Sequence, residues 1–222
     1  MRNSLLFLSL SLILLLLSTF NPKNLKDNLF FFSVKNIEIN NIKISNKNEL
    51  TNYFKKELYG ISILKINDEQ IDKIASKFDL IEYIEIKKIY PNKIKIKVLE
   101  KKPIAIFFSK KKFYYITEKG EKINFFHHPS LDQLPNIIGT KDEFLTLYKV
   151  LKEFDFPLQN IKSFHQHAVG RWDILFVDKR IIKLPKKNFK ESIQNYIKIN
   201  EDPNFKKYFI FDYRISDQLI LK

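Results

Sequence analysis

The hydrophobic pattern of this chain changes period three times along its length. Residues 5–20 are almost wholly apolar, interrupted only by Ser9, Ser11, Ser18 and Thr19, with Arg2 before them and Asn21, Pro22 and Lys23 after. A helix of this length reaches roughly 24 Å against a hydrocarbon core of about 30 Å, short for a span and near the upper limit of a signal-peptide core. Cleavage wants small residues, and Ser18-Thr19-Phe20 followed by Asn21-Pro22 suits it poorly. An uncleaved anchor can extend itself through snorkelling Lys23 and Lys26. The anchor is the preferred reading, and on either reading residues 21–222 are exported.

From Phe32 the pattern becomes that of a folded module. Phe32-Ser-Val-Lys-Asn-Ile-Glu-Ile reads as a strand with Ile37 and Ile39 on one face. Phe30-Phe31-Phe32 either sits at a membrane interface or begins that strand. Asn46 and Glu49 have capping-box spacing ahead of a helical stripe of Leu50, Phe54 and Leu58, and Gly60 supplies a stop. Asn67 and Gln70 repeat the cap before a second helix expected over residues 68–78, with Ile71, Ile74, Ala75 and Phe78 at helical spacing. Residues 81–90 then lead through Pro91-Asn92, a turn signal, into a strict alternation of Lys93, Lys95 and Lys97 with Ile94, Ile96 and Val98. The order is β-α-α-β-β.

Beyond residue 102 short strand-like runs alternate with turns. Residues 104–108 and 113–117 flank Ser109-Lys110-Lys111-Lys112 as a hairpin, and Lys119-Gly120 is a second turn. A helix is expected over residues 144–154, with Leu147, Tyr148 and Leu151 on one face, and another over 189–199. Strands are expected over 161–164, 172–177 and 181–184, and 209–222 closes the chain as strand. The fold class is α+β: a single N-terminal transmembrane helix, then two modules.

Composition supports packed cores, since 45% of the 222 residues are hydrophobic, with 21 Phe and 10 Tyr. The absence of cysteine excludes disulfides, a thiolate zinc site and a cysteine nucleophile. The formal charge of +14 is compatible with nucleic acid or an anionic membrane. Its lysines are scattered along strand and helix faces, and the abundance of Lys, Ile, Asn and Phe fits an AT-rich coding bias. No nucleic-acid partner is expected, while attraction to anionic lipid or polymer stays open.

The sequence carries little that resembles catalysis. Its four glycines form neither a phosphate-binding loop nor a Gly-x-Ser-x-Gly elbow. His165 and His167, with His127-His128, are better read as solvent-facing than as metal ligands. Asp212 and Arg214, one strand period apart, are better read as an ion pair than Asp212 and Asp217 as an acid and base. Trp172, the only tryptophan, is expected in the core. No catalytic, metal or cofactor site and no small-molecule substrate are expected.

The ordered set of motifs resembles a known family. Tyr90-Pro91-Asn92, followed by Val98-Leu99-Glu100-Lys101-Lys102-Pro103-Ile104-Ala105, is similar to the junction between the POTRA domain and the β-domain of FtsQ/DivIB bacterial cell division proteins. Leu134-Pro135-Asn136-Ile137-Ile138-Gly139 resembles the family's Leu-Pro-x-φ-x-Gly element, Arg171-Trp172 its basic-aromatic strand start, and Asp212-Tyr213-Arg214 its Asp-x-Arg element. Thr117, where an aspartate is usual, Leu184-Pro185 in place of Leu-Gly, and a cytoplasmic tail of about four residues depart from the pattern.

The resemblance implies a tail and transmembrane helix over 1–22, a linker over 23–31, a POTRA domain over 32–102 and an FtsQ-type β-domain with two helices over 103–222. It implies a non-enzymatic divisome scaffold in the inner membrane at the division septum, N-terminus cytoplasmic and bulk periplasmic. Such a scaffold links FtsB and FtsL to control of the septal peptidoglycan synthase. It points to Tyr213, Arg214, Ser216, Gln218 and Ile220 as partner contacts, and to Tyr90, Pro91, Asn92, Glu100, Pro103, Asp212 and Arg214 as structural motif residues. The alternatives are an exported single-POTRA assembly or secretion factor for the outer membrane and, more remotely, an exported cell-wall hydrolase. The exported half lacks the many roughly ten-residue alternating strands that a barrel needs.

Overall fold

The computed structural model describes residues 2–18, 32–215 and 218–222. Helix α1 (Arg2–Ser18) forms where the apolar run predicts it and has 17 residues. No helix among the described residues is long and apolar enough to cross a membrane. At 1.5 Å per residue α1 reaches about 26 Å, against a hydrocarbon core of about 30 Å. Cleavage-site residues 19–20, the linker and the question of where Phe30-Phe31 sits lie outside the described residues.

The remainder divides into two compact units, the first ending at Glu100 and the second beginning at Lys101. In the first, β1 (Asn36–Asn40) is followed by α2 (Lys47–Leu58), α3 (Asp68–Ala75), β2 (Ile81–Ile89) and β3 (Lys93–Glu100). Both helices start where the caps predict. The Asn46 side chain accepts from the Asn48 and Glu49 amides, and that of Asn67 from the Gln70 amide. Strand β3 is central, parallel to β1 and antiparallel to β2. Its alternation is resolved as expected: Ile94, Ile96 and Val98 are fully buried against Leu50, Phe54, Ile71 and Ile74 of the helices. Lys93 and Lys97 face outward and pair with Glu38 (2.7 Å) and Glu85 (3.0 Å). Two boundaries differ from expectation. Strand β1 begins only at Asn36, because Ser33 instead bridges Ser62. Helix α3 stops at Ala75, and single-turn bonds from Lys77 and Phe78 to Ile74 and Ala75 carry the chain on to Phe78.

The second unit is one nine-stranded sheet with two helices against it. Its strands are β4 (Pro103–Ser109), β5 (Lys112–Thr117), β6 (Lys122–Asn124), β7 (Asn136–Ile138), β8 (Ile161–Gln166), β9 (Trp172–Phe176), β10 (Ile181–Lys183), β11 (Ile210–Asp212) and β12 (Ile220–Leu221). The helices are α4 (Lys141–Glu153), a turn longer at its start than its sequence stripe suggests, and α5 (Phe189–Asn200). Strand order is β12-β11-β10-β9-β8-β7-β4-β5-β6. Phe144, Leu147 and Leu151 of α4 and Ile193 and Tyr196 of α5 share a buried cluster with Ala105, Ile137, Phe164, Trp172, Ile174, Ile182 and Phe211 of the sheet. Trp172, 5% exposed, is a core residue as expected.

The expected closing strand over 209–222 is corrected. It is two short strands, β11 and β12, paired antiparallel with Phe211 opposite Leu221 and Asp212 opposite Ile220. The apolar pattern is similar in both, so the reversal between them leaves little trace in the sequence. Strand β7 was not expected as a strand; three residues are too few to display a period of two. It lies mid-sheet, parallel to both β4 and β8. Gly139 ends it at φ +154, and a Cβ there would come within 2.5 Å of the Gln166 Cβ and 3.0 Å of the Trp172 ring. The glycine of the Leu-Pro-x-φ-x-Gly element thus lets two neighbouring strands approach.

Candidate functional site: the terminal hairpin at the sheet edge

Strands β11 and β12 close the sheet at one end, and β12 has no strand on its outer side among the described residues. The Lys222 amide donates to Ile210 O (3.1 Å), while the Ile210 and Phe209 amides donate to Lys222 O (2.9 and 2.8 Å). Lys222 therefore faces β11. By the alternation of antiparallel pairing, the N–H and C=O of Leu221 point away from it, to the free edge.

Asp212 anchors this corner. It is 6% exposed and accepts from the Arg214 amide (3.1 Å), Nε (2.7 Å) and Nη2 (2.5 Å). The side-chain bond from Arg214 outweighs burial and holds the Asp212 carboxyl below the usual carboxylate range, with Lys183 adding in the same sense. The same bond raises Arg214. The pair expected from spacing is present and bidentate.

Pairing places Ile138, His165, Asp173, Lys183, Asp212 and Ile220 in one row across the face of the sheet opposite Trp172, each opposite the next on an adjacent strand. His167 adds to it, with Nε2 2.9 Å from Asp173 Oδ2. Sequence reasoning missed Asp173 and Lys183 as neighbours of Asp212. They lie on separate strands, and only the register brings them together.

The other proposed contacts divide. Ile220 is 37% exposed on the outer face. Gln218 is exposed and Arg214 presents the remainder of its guanidinium. Tyr213 turns into the core at 7% exposure, its hydroxyl donating to Asn195 Oδ1 (3.0 Å), and burial pushes its phenol up. Tyr213, Ile215, Gln218 and Leu219 line a cleft of about 530 Å³ against Glu191 and Asn195 of α5. Ser216 and Asp217 lie outside the described residues.

The structural motif residues other than Asp212 and Arg214 lie elsewhere and hold loops. The Tyr90–Pro91 bond is cis, and the Tyr90 ring meets Phe32 edge-on at 6.3 Å. Asn92 O accepts from the Lys35 and Asn36 amides (2.9 and 3.2 Å), fixing the start of β1. Glu100 accepts from the amides of Lys43 (2.9 Å), Ile44 (3.0 Å) and Ser45 (2.7 Å). Burial alone would raise its carboxyl, but these bonds outweigh it and the net shift is downward. Pro103 opens β4 opposite Thr117, next to a bulge. No group of three or more His, Asp or Glu side chains able to hold a metal occurs among the described residues.

Comparison with known families agrees with this geometry. Residues 32–101 match the FtsQ-type POTRA domain, and residues 105–214 match the C-terminal domain of the cell division protein FtsQ/DivIB. The chain belongs to the FtsQ/DivIB family. Similar proteins include the cell division protein FtsQ of Rickettsia typhi, 26% identical over 143 residues, which are 64% of this chain and 53% of that protein. FtsQ of Rickettsia prowazekii is 25% identical over 166 residues, 74% of this chain and 58% of that protein. The chain thus spans little more than half the length of the FtsQ proteins it matches. A solved structure, the major extracytoplasmic domain of the trans isomer of DivIB from Geobacillus stearothermophilus, aligns over 49% of this chain and 99% of that one at 20% identity, with a TM-score of 0.33. The family match to the C-terminal domain ends at Arg214, so the Asp-x-Arg element lies inside it and β12 beyond it.

Proposed function

We propose that this FtsQ/DivIB-family chain is a non-enzymatic scaffold of the division septum, held in the inner membrane by its N-terminal helix with its bulk in the periplasm. It binds FtsB and FtsL through its C-terminal β-domain and so influences the septal peptidoglycan synthase. The observation that carries the reading is the free edge of β12, beside the Asp212–Arg214 pair. An edge strand with outward N–H and C=O groups accepts a partner strand through main-chain hydrogen bonds. Arg214, Gln218 and Ile220 flank that edge and are the proposed side-chain contacts, with Ser216 in the connecting segment. Tyr213 acts from behind, fixing the hairpin through Asn195.

The anchor is supported by α1. Its large side chains between Phe7 and Leu16 are each more than half exposed, and the Ser11 and Ser18 hydroxyls donate to backbone carbonyls three residues back (2.9 and 3.0 Å). Apolar surface on every side and polar groups satisfied within the helix are what a lipid environment requires.

Live imaging of a fusion to a fluorophore that matures on the exported side tests the assignment. A band at the division site before constriction ends is expected. A uniform peripheral signal throughout the cell cycle overturns it and leaves an exported single-POTRA binding protein.

A further inference from the structure

Toward the opposite end of the nine-stranded sheet, the β4–β5 hairpin carries exposed aromatic rings close to its tip. Phe108 and Phe113 pair across it, one residue from the tip on each side, with ring centroids 4.9 Å apart. Phe125, after β6, joins them at 5.8 Å from Phe113. All three are large apolar side chains left in the open, at 53%, 52% and 45% exposure. Three touching rings make one continuous apolar patch, and such patches on soluble domains mark contact sites.

The tip itself is cationic. Ser109 pairs with Lys112, so Lys110 and Lys111 form a two-residue turn, and both are left-handed, at φ +50 and +63. That turn favours Asn-Gly, because a side chain is strained at positive φ. The chain places lysine at both positions instead. Lys110, Lys111 and Lys112 are exposed, and none has an ion-pair partner among the described residues.

We propose that this hairpin docks on an anionic phospholipid surface. Phe108, Phe113 and Phe125 enter the boundary between headgroups and acyl chains, and Lys110 and Lys111 of the turn pair with lipid phosphates. Apolar rings and unpaired cations occupy the same end of the same hairpin, so they meet their partner together. A lipid interface offers apolar and anionic groups within that depth. Phe108 and Phe113 also line an outer-face groove of about 420 Å³ with Ile106, Asn136, Ile138 and Leu175, so the unpaired cations at the tip, and not the rings alone, are what favour an anionic lipid surface over a protein partner.

The test uses the full chain, reconstituted into vesicles of phosphatidylcholine with brominated acyl chains, with and without phosphatidylglycerol. Phe113→Trp supplies the probe, and the wild-type chain, whose one tryptophan is 5% exposed, supplies the background. Quenching of the new tryptophan well above background, dependent on phosphatidylglycerol, is expected. Each lysine contributes about fivefold near an anionic surface, so adding Lys110→Asn with Lys111→Gly lowers the docked-to-free ratio roughly twenty-five-fold. That pair relieves the turn, so thermal stability is unchanged or raised, and lost quenching is separated from unfolding. Quenching no greater than background, or equal with and without phosphatidylglycerol, overturns the proposal. A tryptophan unquenched by brominated lipid yet shielded from a water-soluble quencher also overturns it, in favour of a protein contact on the groove.

Discussion

Glu100 shows how much one side chain can organise. Three consecutive amides of the β1–α2 connection, Lys43 to Ser45, converge on its carboxylate. The connection has no regular secondary structure to satisfy those donors, so the charge at the end of β3 does it from 55 residues or more away in sequence. Glu100→Gln keeps the shape and removes the charge, leaving one oxygen to accept. A loss of about 1–2 kcal/mol is expected, read as a lowered denaturation midpoint in urea. Because the folded Glu100 carboxyl lies below its ordinary value, its contribution is complete above that value and fades as pH falls through the lowered one. Asp212 has the same sign. Stability of the native chain therefore declines as pH drops below about 4. The Glu100→Gln variant, already lacking one of these terms, loses less over that window; an identical acid slope in the two proteins contradicts the assignment.

At the scale of elements, the sheet edge is where the proposed function sits. Strand β12 holds β11 through Lys222, and Leu221 offers its main chain to the other side. Leu221→Pro removes the outward N–H without touching a β11 bond. The expectation is a loss of FtsB binding of tenfold or more, on the order of 1.4 kcal/mol or above, with only a modest fall in melting temperature. Leu221→Val, which keeps the amide, is the control, and equal binding by the two variants excludes strand addition. Caps and alternation made α2, α3, β2 and β3 legible in the sequence, because each is long enough to express its period. The two strands at the C-terminus were legible only as apolar. Strand β12 has two residues and β11 three, and both owe their form to neighbours rather than to propensity.

For the whole molecule, the arrangement is an apolar helix and two independently cored units. The first has helices on one face of three strands, and the second has helices on one face of nine. The proposed anchor belongs to this scale, because the large apolar side chains of α1 between Phe7 and Leu16 are exposed on every side. Leu12→Arg places a charge near its middle, costing about 2.5–3.5 kcal/mol in a bilayer. Membrane fractionation of the variant is expected to show a large soluble or degraded share, where wild type stays with the membrane. Wild-type behaviour of Leu12→Arg would refute the anchor.

The amino-acid sequence by itself determined the helices and their caps, the alternation of β3, the apolar N-terminal run, the Asp212–Arg214 pair and the family to which the chain belongs. Apart from the family, which rests on the order of motifs along the chain, these are local: residues a few positions apart, whose spacing alone sets which face they share. Tertiary structure decided the rest. It turned the C-terminus into a hairpin and put β7 between β4 and β8. It buried Tyr213 against Asn195, and aligned His165, Asp173 and Lys183 with Asp212. It also left Phe108, Phe113 and Phe125 touching in the open. Each of these depends on strand register and chain reversal. Those are fixed by the summed burial of a whole sheet face and by main-chain pairing between segments distant in sequence, which no short window of residues contains.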